Sequence, residues 1–300
     1  MLNKIVYTIL GFGVAFIFFP QKAYEQPLNQ VVSGAFTANV QETHILPAPE
    51  QARNIAAPSL TAKAALAVDL DSGSVLYSKN LDAELPIASL TKLMTALIVV
   101  KNAGLDEIVR IEKNDREVVG VSLGLAAGEQ LTVRDLLKAM LIPSSNDAAL
   151  ILANYVSGTS QDFAALMNEE AKALGLTRTY FSNPVGWDFD ESHSNASDLI
   201  RIVKEFSSHP ELAEIVKTKE TLITSVDGAH AHQLTTTNKL LLENPEVVGI
   251  KTGFTSKALG NLVIEARHNG RRIVIVVLGS ENREEDTRQL LLWVEIAYRW

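Results

Sequence analysis

Apolar residues follow two different rhythms along this chain. Near both ends they come in short runs broken by turn residues. Residues 64–70 and 75–77 are separated by Asp71-Ser72-Gly73-Ser74, and residues 262–266 and 273–278 flank His268-Asn269-Gly270-Arg271. Each pair predicts a β-hairpin, the second with Asn-Gly as its turn. Between the hairpins the spacing is mostly helical, over 90–102, 133–141, 147–156 and 163–174, with Gly104, Pro143, Gly158 and Gly175 as punctuation. After the second hairpin, Leu290, Trp293, Val294 and Tyr298 form an apolar stripe that predicts a helix over 286–300. The expected fold is mixed α and β: an antiparallel sheet built from both termini, flanked by helices, with a helical subdomain inserted in the middle. No internal repeat is present.

The first 58 residues do not fit that scheme. Lys4 precedes an apolar run over 5–19 that ends at Pro20, Gln21 and Lys22. A basic start, an apolar core and a polar exit make an export signal. The core is short for a spanning helix, which needs roughly 17–25 residues, yet no small-x-small cleavage site follows promptly, since Gln21 stands two positions before Ala23. Residues 1–23 are therefore expected to be a signal peptide or a retained N-terminal membrane anchor. Both deliver the rest of the chain outside the cytoplasm, to the periplasm or cell envelope. Residues 24–58, rich in Gln, Ala, Pro, Asn and Thr, are expected to be a linker, and the folded domain to occupy 59–300.

Composition narrows the chemistry. The 300 residues carry a formal charge of −8 with no basic run, so the electrostatic footprint of a nucleic-acid binder is missing. There are no cysteines, which excludes disulfides, thiolate catalysis and Cys-based metal centres.

Three segments could carry a reaction. LTKLMTALIVV (90–100) is apolar almost all round and so should be buried on most faces. Lys92 lies inside it, and burial drives an unpaired lysine toward its neutral form. Ser89 is one turn earlier on the same face, so the pair has the makings of a nucleophile and its base. Alone, Ser89 could equally cap the helix while Lys92 snorkels to water. Pro143-Ser144-Ser145-Asn146-Asp147 opens a second apolar helix, where Ser144 could relay a proton and Asn146 hold an amide, or the serines could simply cap. Gly249-Ile250-Lys251-Thr252-Gly253-Phe254-Thr255 precedes the C-terminal hairpin. Its glycines would let a ligand backbone lie along an edge strand, with Lys251 and Thr252 facing an anionic carboxylate, or it could be a turn leading into a strand.

Ser-x-x-Lys, Ser-x-Asn and Lys-Thr-Gly, in that order, are the set found in penicillin-binding proteins and class A β-lactamases. Over about 62–293 the chain resembles the low-molecular-mass D-alanyl-D-alanine carboxypeptidases, serine DD-peptidases of the S11 type. PIASLTKLMTAL resembles their nucleophile segment and LAAGEQLTVRDLLKAMLIPSSNDAA their second-motif segment. MNEEAKALGL with FSNPVGW is similar to the intermotif stretch, and GIKTGFT to the third motif. The resemblance implies a β-lactamase/transpeptidase-like fold and an acyl-enzyme on Ser89. Lys92 and Ser144 would move protons, and Asn146, Lys251, Thr252 and Gly253 would bind substrate. The backbone N–H groups of Ser89 and Phe254 would form the oxyanion hole. It implies peptidoglycan stem peptides ending in D-Ala-D-Ala as substrate, β-lactams as covalent inhibitors, and neither cofactor nor metal.

Departures from the family pattern are local. Ser145 stands where the family usually has Gly. The segment His193-Ser194-Asn195-Ala196 is one residue shorter than usual, and 280–289 is shortened where relatives carry an arginine near the substrate pocket, a place Arg283 could fill. The resemblance ends with the C-terminal helix, so any membrane attachment is expected at the N-terminus.

Rival readings stay open. Gly120-Val121-Ser122-Leu123-Gly124 matches a nucleophile elbow, but Ala126-Ala127-Gly128 is a poor helix start after it. His230 and His232 with His193 lack nearby carboxylate partners in sequence and are expected as plain surface residues. A β-lactamase would need a deacylating glutamate, and Glu169 and Glu170 follow Asn146 too soon. A non-catalytic wall-binding protein and a DD-endopeptidase acting on cross-links share the same motifs.

Overall fold

The computed structural model describes residues 47–112, 119–187 and 191–300, all within one compact unit. The expected signal or anchor over 1–23, and the linker up to residue 46, lie outside the described residues. No helix among the described residues is long and apolar enough to cross a membrane.

The elements in chain order are β1 (Glu50–Gln51), β2 (Ala64–Asp69), β3 (Val75–Lys79), a 3-10 turn (Ala88–Thr91), α1 (Lys92–Asn102), β4 (Ile108–Arg110), β5 (Gln130–Thr132), α2 (Val133–Leu141), α3 (Asn146–Ser157), α4 (Ser160–Ala173), α5 (Ala196–Ser207), α6 (Pro210–Lys217), β6 (Glu220–Thr224), β7 (Ala231–Thr235), α7 (Lys239–Glu243), β8 (Val247–Thr255), β9 (Leu259–His268), β10 (Arg271–Ser280), α8 (Arg283–Ala297) and β11 (Tyr298–Arg299). The main sheet has five strands in the order β3-β2-β10-β9-β8, every neighbouring pair antiparallel. It is the sheet expected from both termini, and β8 forms its edge.

Both faces of this sheet are buried, which explains why its strands read as continuous apolar runs. Along β10, Val274, Val276 and Leu278 join the core shared with α1 to α6. Their alternates Ile273, Ile275 and Val277 join a second core with Leu290, Leu291 and Val294 of α8. Helix α1 is the centre of the helical layer, and every residue from Lys92 to Val99 is buried.

Local sequence sets several helix starts. Thr132, Thr159 and Asn195 each accept the N–H of an aspartate three residues on, opening α2, α4 and α5. Asn282 opens α8, three residues earlier than the stripe alone predicts, with Glu284, Glu285 and Asp286 in its first turn. That helix also ends earlier, because Tyr298 and Arg299 leave it to pair with Gln51 and Glu50. The N–H groups of Ala52 and Arg53 donate to Ala297 O, and the Trp293 indole N–H donates to Ile55 O. Ordered chain thus begins before Ser59, because the backbone of β11 offers this polar segment a ladder to join. Asp286 then ties the entry of β2 to α8, accepting both the N–H and the hydroxyl of Thr61, the N–H of Ala62 and the Ser280 hydroxyl.

Candidate active site

The expected helix over 90–102 begins instead with the 3-10 turn, and Ser89 sits in the middle of it, half-buried. Ala88 adopts φ +48°, a conformation that costs a residue with a Cβ. Two glycines allow other segments to press on that turn. A Cβ on Gly186, itself at φ +89°, would lie 2.0 Å from Ala88 O. One on Gly253 of β8 would lie 2.9 Å from Ile87 O and 3.2 Å from Ser89 N. Asn261 of β9 adds a tether, donating to Pro86 O and accepting the Gly279 N–H.

Lys92 is fully buried. Its Nζ lies 2.8 Å from Ser89 Oγ, 2.7 Å from Asn146 Oδ1 and 3.3 Å from Val185 O. Burial first, then the Lys251 charge, push its ammonium well below the ordinary lysine range, with Asp147 opposing weakly. Asn146 is oriented by its other end, Nδ2 donating to Val119 O at 2.7 Å. That contact fixes Oδ1 as the atom facing the lysine. Val185 O is placed by Asn183, whose Oδ1 accepts the N–H groups of Val185 and Gly186.

On the turn into α3, Ser144 is buried at φ +68°. Ser145, the departure from the family's glycine, donates its hydroxyl to Asp147 Oδ1. Asp147 is a hub that the sequence reading missed. Its carboxylate also accepts the Ser122 hydroxyl and the N–H groups of Leu123 and Gly124. Burial alone would raise its carboxyl, but these hydrogen bonds outweigh it and hold the group below the usual range. Ser122 is thereby explained: it sits in a loop, not on a strand-to-helix elbow, with its hydroxyl committed to Asp147.

Lys251, 1% exposed, lies within β8, not in a turn before it, and its Nζ donates to Thr252 O. Burial and the Arg283 charge lower it to about 7. The Thr252 hydroxyl meets the Thr237 hydroxyl at 2.5 Å. Arg283 donates to Gly253 O at 2.8 Å, so this arginine does reach the edge strand. Phe254 turns its ring outward, 66% exposed. Ser89, Lys92 and Asn146 therefore meet through direct contacts, while Lys251 joins them through its charge and Gly253 through backbone approach.

The shortened segment at 193–196 is accommodated by structure. Ser194 bridges Leu85 in an isolated antiparallel pair, and Asn195 caps α5. His232 departs from expectation: it pairs at 2.7 Å with the buried Glu129, joining the β6–β7 hairpin to the segment before β5. A sequence separation of 103 positions hid that contact.

Sheet order and site together define the DD-peptidase and transpeptidase fold. The Streptomyces K15 DD-transpeptidase superposes with a TM-score of 0.76 at 29% identity, covering 80% of this chain and 99% of that one. More narrowly, the chain belongs to the D-alanyl-D-alanine carboxypeptidase family (peptidase S11), whose profile matches residues 51–282. It is 32% identical over 242 residues to the D-alanyl-D-alanine carboxypeptidase DacF of Bacillus subtilis, a match covering 79% of this chain and 62% of that protein. It is 34% identical to a D-alanyl-D-alanine endopeptidase of Pseudomonas aeruginosa, covering 79% of this chain and 78% of that one.

Proposed function

We propose that this protein is an extracytoplasmic serine DD-carboxypeptidase. It removes the terminal D-alanine from peptidoglycan stem peptides through an acyl-enzyme on Ser89. The observation that carries this reading is the set of contacts around Lys92. Asn146 Oδ1 and Val185 O are pure acceptors and take two of its N–H bonds. In the neutral form, which burial favours, its lone pair is left for the Ser89 hydroxyl, 2.8 Å away. A buried, neutral lysine in that position is a base ready for the serine proton.

Ser89 Oγ attacks the carbonyl of the penultimate D-alanine while its proton passes to Lys92. Negative charge on the carbonyl oxygen is met by the N–H groups of Ser89 and Phe254, donors of a kind worth roughly 3–4 kcal/mol each. Collapse breaks the C–N bond, and the proton held by Lys92 passes through Ser144 to the leaving amine, which returns Lys92 to its neutral form. Asn146 holds the acyl-side amide. Lys251 and Thr252 receive the terminal carboxylate, with Arg283 adding positive charge nearby. Water, deprotonated by Lys92, then attacks the ester; the C–O bond to Ser89 breaks, and Lys92 returns the proton to Ser89 Oγ. β-Lactams acylate Ser89 as substrate mimics. The basic-then-apolar N-terminal sequence supports export, as a cleaved signal or a retained anchor.

Ser89→Ala is expected to abolish covalent labelling by a fluorescent penicillin and release of D-alanine, at an unchanged melting temperature. Surviving labelling would remove the assignment. A second reading, DD-endopeptidase action on cross-links, is favoured by the relatives that carry that name at similar identity. Incubation with a D-Ala-D-Ala peptide and with a cross-linked muropeptide dimer, products resolved by mass, separates the two. Free D-alanine with the dimer intact supports the carboxypeptidase, and dimer cleavage supports the endopeptidase.

A further inference from the structure

Beyond the peptidase site, Glu246, His268 and Glu295 bring one ligand atom each to within 4.8 Å of one another. They come from three different places: the approach to β8, the last residue of β9, and α8. We propose that this cluster binds a divalent cation of the Zn²⁺ type through His268 Nδ1 and the two carboxylates. The ion would clip α8 to the sheet.

Spacing is the first argument. His268 Nδ1 is 3.4 Å from Glu246 Oε2 and 3.9 Å from Glu295 Oε1. Both exceed the 2.7–3.2 Å of a good N–H···O bond. With zinc bonds of about 2.0–2.2 Å to nitrogen and oxygen, ligand atoms at the corners of a tetrahedron stand ~3.4 Å apart. The first separation already has that value, and the second needs to shrink by about half an ångström.

Charge is the second argument. Two carboxylates share this corner, and among the described residues neither forms an ion pair with a lysine or arginine. Their salt-bridge partner is His268 alone. Four other arginines are paired with other acids, Arg271 with Asp69, Arg272 and Arg267 with Glu265, and Arg288 with Glu243 and Glu285, while Arg53 and Arg299 share a concavity with Glu295 without an ion pair to it. An imidazole nitrogen with two carboxylate oxygens suits zinc and its neighbours better than Mg²⁺ or Ca²⁺, which prefer all-oxygen sites.

Rigidity is the third. His268 adjoins the tight Asn269-Gly270 turn, both residues at positive φ, and its ring stands edge-on to Trp300 at 6.0 Å. Glu246 is held on both backbone sides: its N–H donates to Asn244 Oδ1, and its carbonyl accepts the Arg267 N–H. The ligands are thus pre-placed by strand and turn geometry rather than hung on a loose loop.

The test is titration of the full chain, stripped with EDTA, with ZnCl2 by calorimetry, alongside thermal unfolding with and without the metal. Expected are one saturable site and a higher melting temperature with Zn²⁺. Affinity should fall at least tenfold in His268→Ala and in Glu246→Gln. Glu246 is solvent-facing, so its variant folds even where the histidine variant is weakened. Absence of a saturable site in the parent overturns the proposal. Parental affinity retained in both variants overturns it as well, because the metal would then sit elsewhere. Neither readout depends on peptidase activity.

Discussion

Two buried lysines within one site set a conflict that side-chain chemistry must resolve. Both lose hydration, and each has a positive neighbour, Lys251 beside Lys92 and Arg283 beside Lys251, so both are pushed toward neutrality. A lysine at about 7 in the folded state and at its ordinary value when unfolded binds fewer protons folded throughout that interval. Unfolding stability therefore rises with pH across it, and the destabilising effect is complete below 7. Lys251→Met fills the same space without charge. It is expected to be more stable than the parent at pH 6 by about 2–4 kcal/mol, with the gap closing by pH 10 in urea titrations. Relieved of its neighbour's charge, Lys92 should regain a higher pKa, so penicillin labelling of this variant should fall off at a less acidic pH than in the parent. The lysines were legible from the motif spacing and the apolar helix around Lys92. Asp147 was not, because its role depends on Ser122, Leu123 and Gly124, contacts across a loop that no local pattern announces.

Elements carry the proposed nucleophile, Ser89, to its place. The turn bearing Ser89 is pinned from one side by β8 at Gly253 and from the other by Gly186, a residue in the segment between α4 and α5. Gly186→Ala combines a forced positive φ with a collision against Ala88 O. It is expected to cost more than about 2 kcal/mol of stability and to slow penicillin labelling at least tenfold, read from urea unfolding and labelling time courses on the same preparation. A loss of stability with unchanged labelling would separate this glycine from the positioning of Ser89. At this scale the sequence was read best where a period ran long, as in α2 and the β9–β10 hairpin. It was read least well over α5, α6 and the β6–β7 hairpin, none of which was expected. Asn195 as a cap and Pro210 at the first helical turn were available signals for α5 and α6. Each hairpin strand carries a single buried residue, Ile223 in one and Leu234 in the other, among exposed or half-exposed neighbours, too thin a pattern to stand out.

For the whole molecule, the sheet divides two cores with different duties. One holds α1 and with it the serine–lysine pair; the other is sealed by α8. The split was implicit in the expectation of a sheet assembled from both termini, since such a sheet needs cover on each face. What sequence could not supply was the pairing of β1 with β11, two residues on each side, because backbone hydrogen bonds leave no mark on side-chain pattern. That short ladder has a topological consequence. Glu50 lies opposite Arg299 and Gln51 opposite Tyr298, so the chain enters and leaves the folded body at the same point. Joining residue 299 to residue 50 with a few glycines, and opening the chain at the exposed β6–β7 turn, should yield a circular permutant that folds and still labels with penicillin. In this body the order in which the segments are synthesised is separable from the architecture they build.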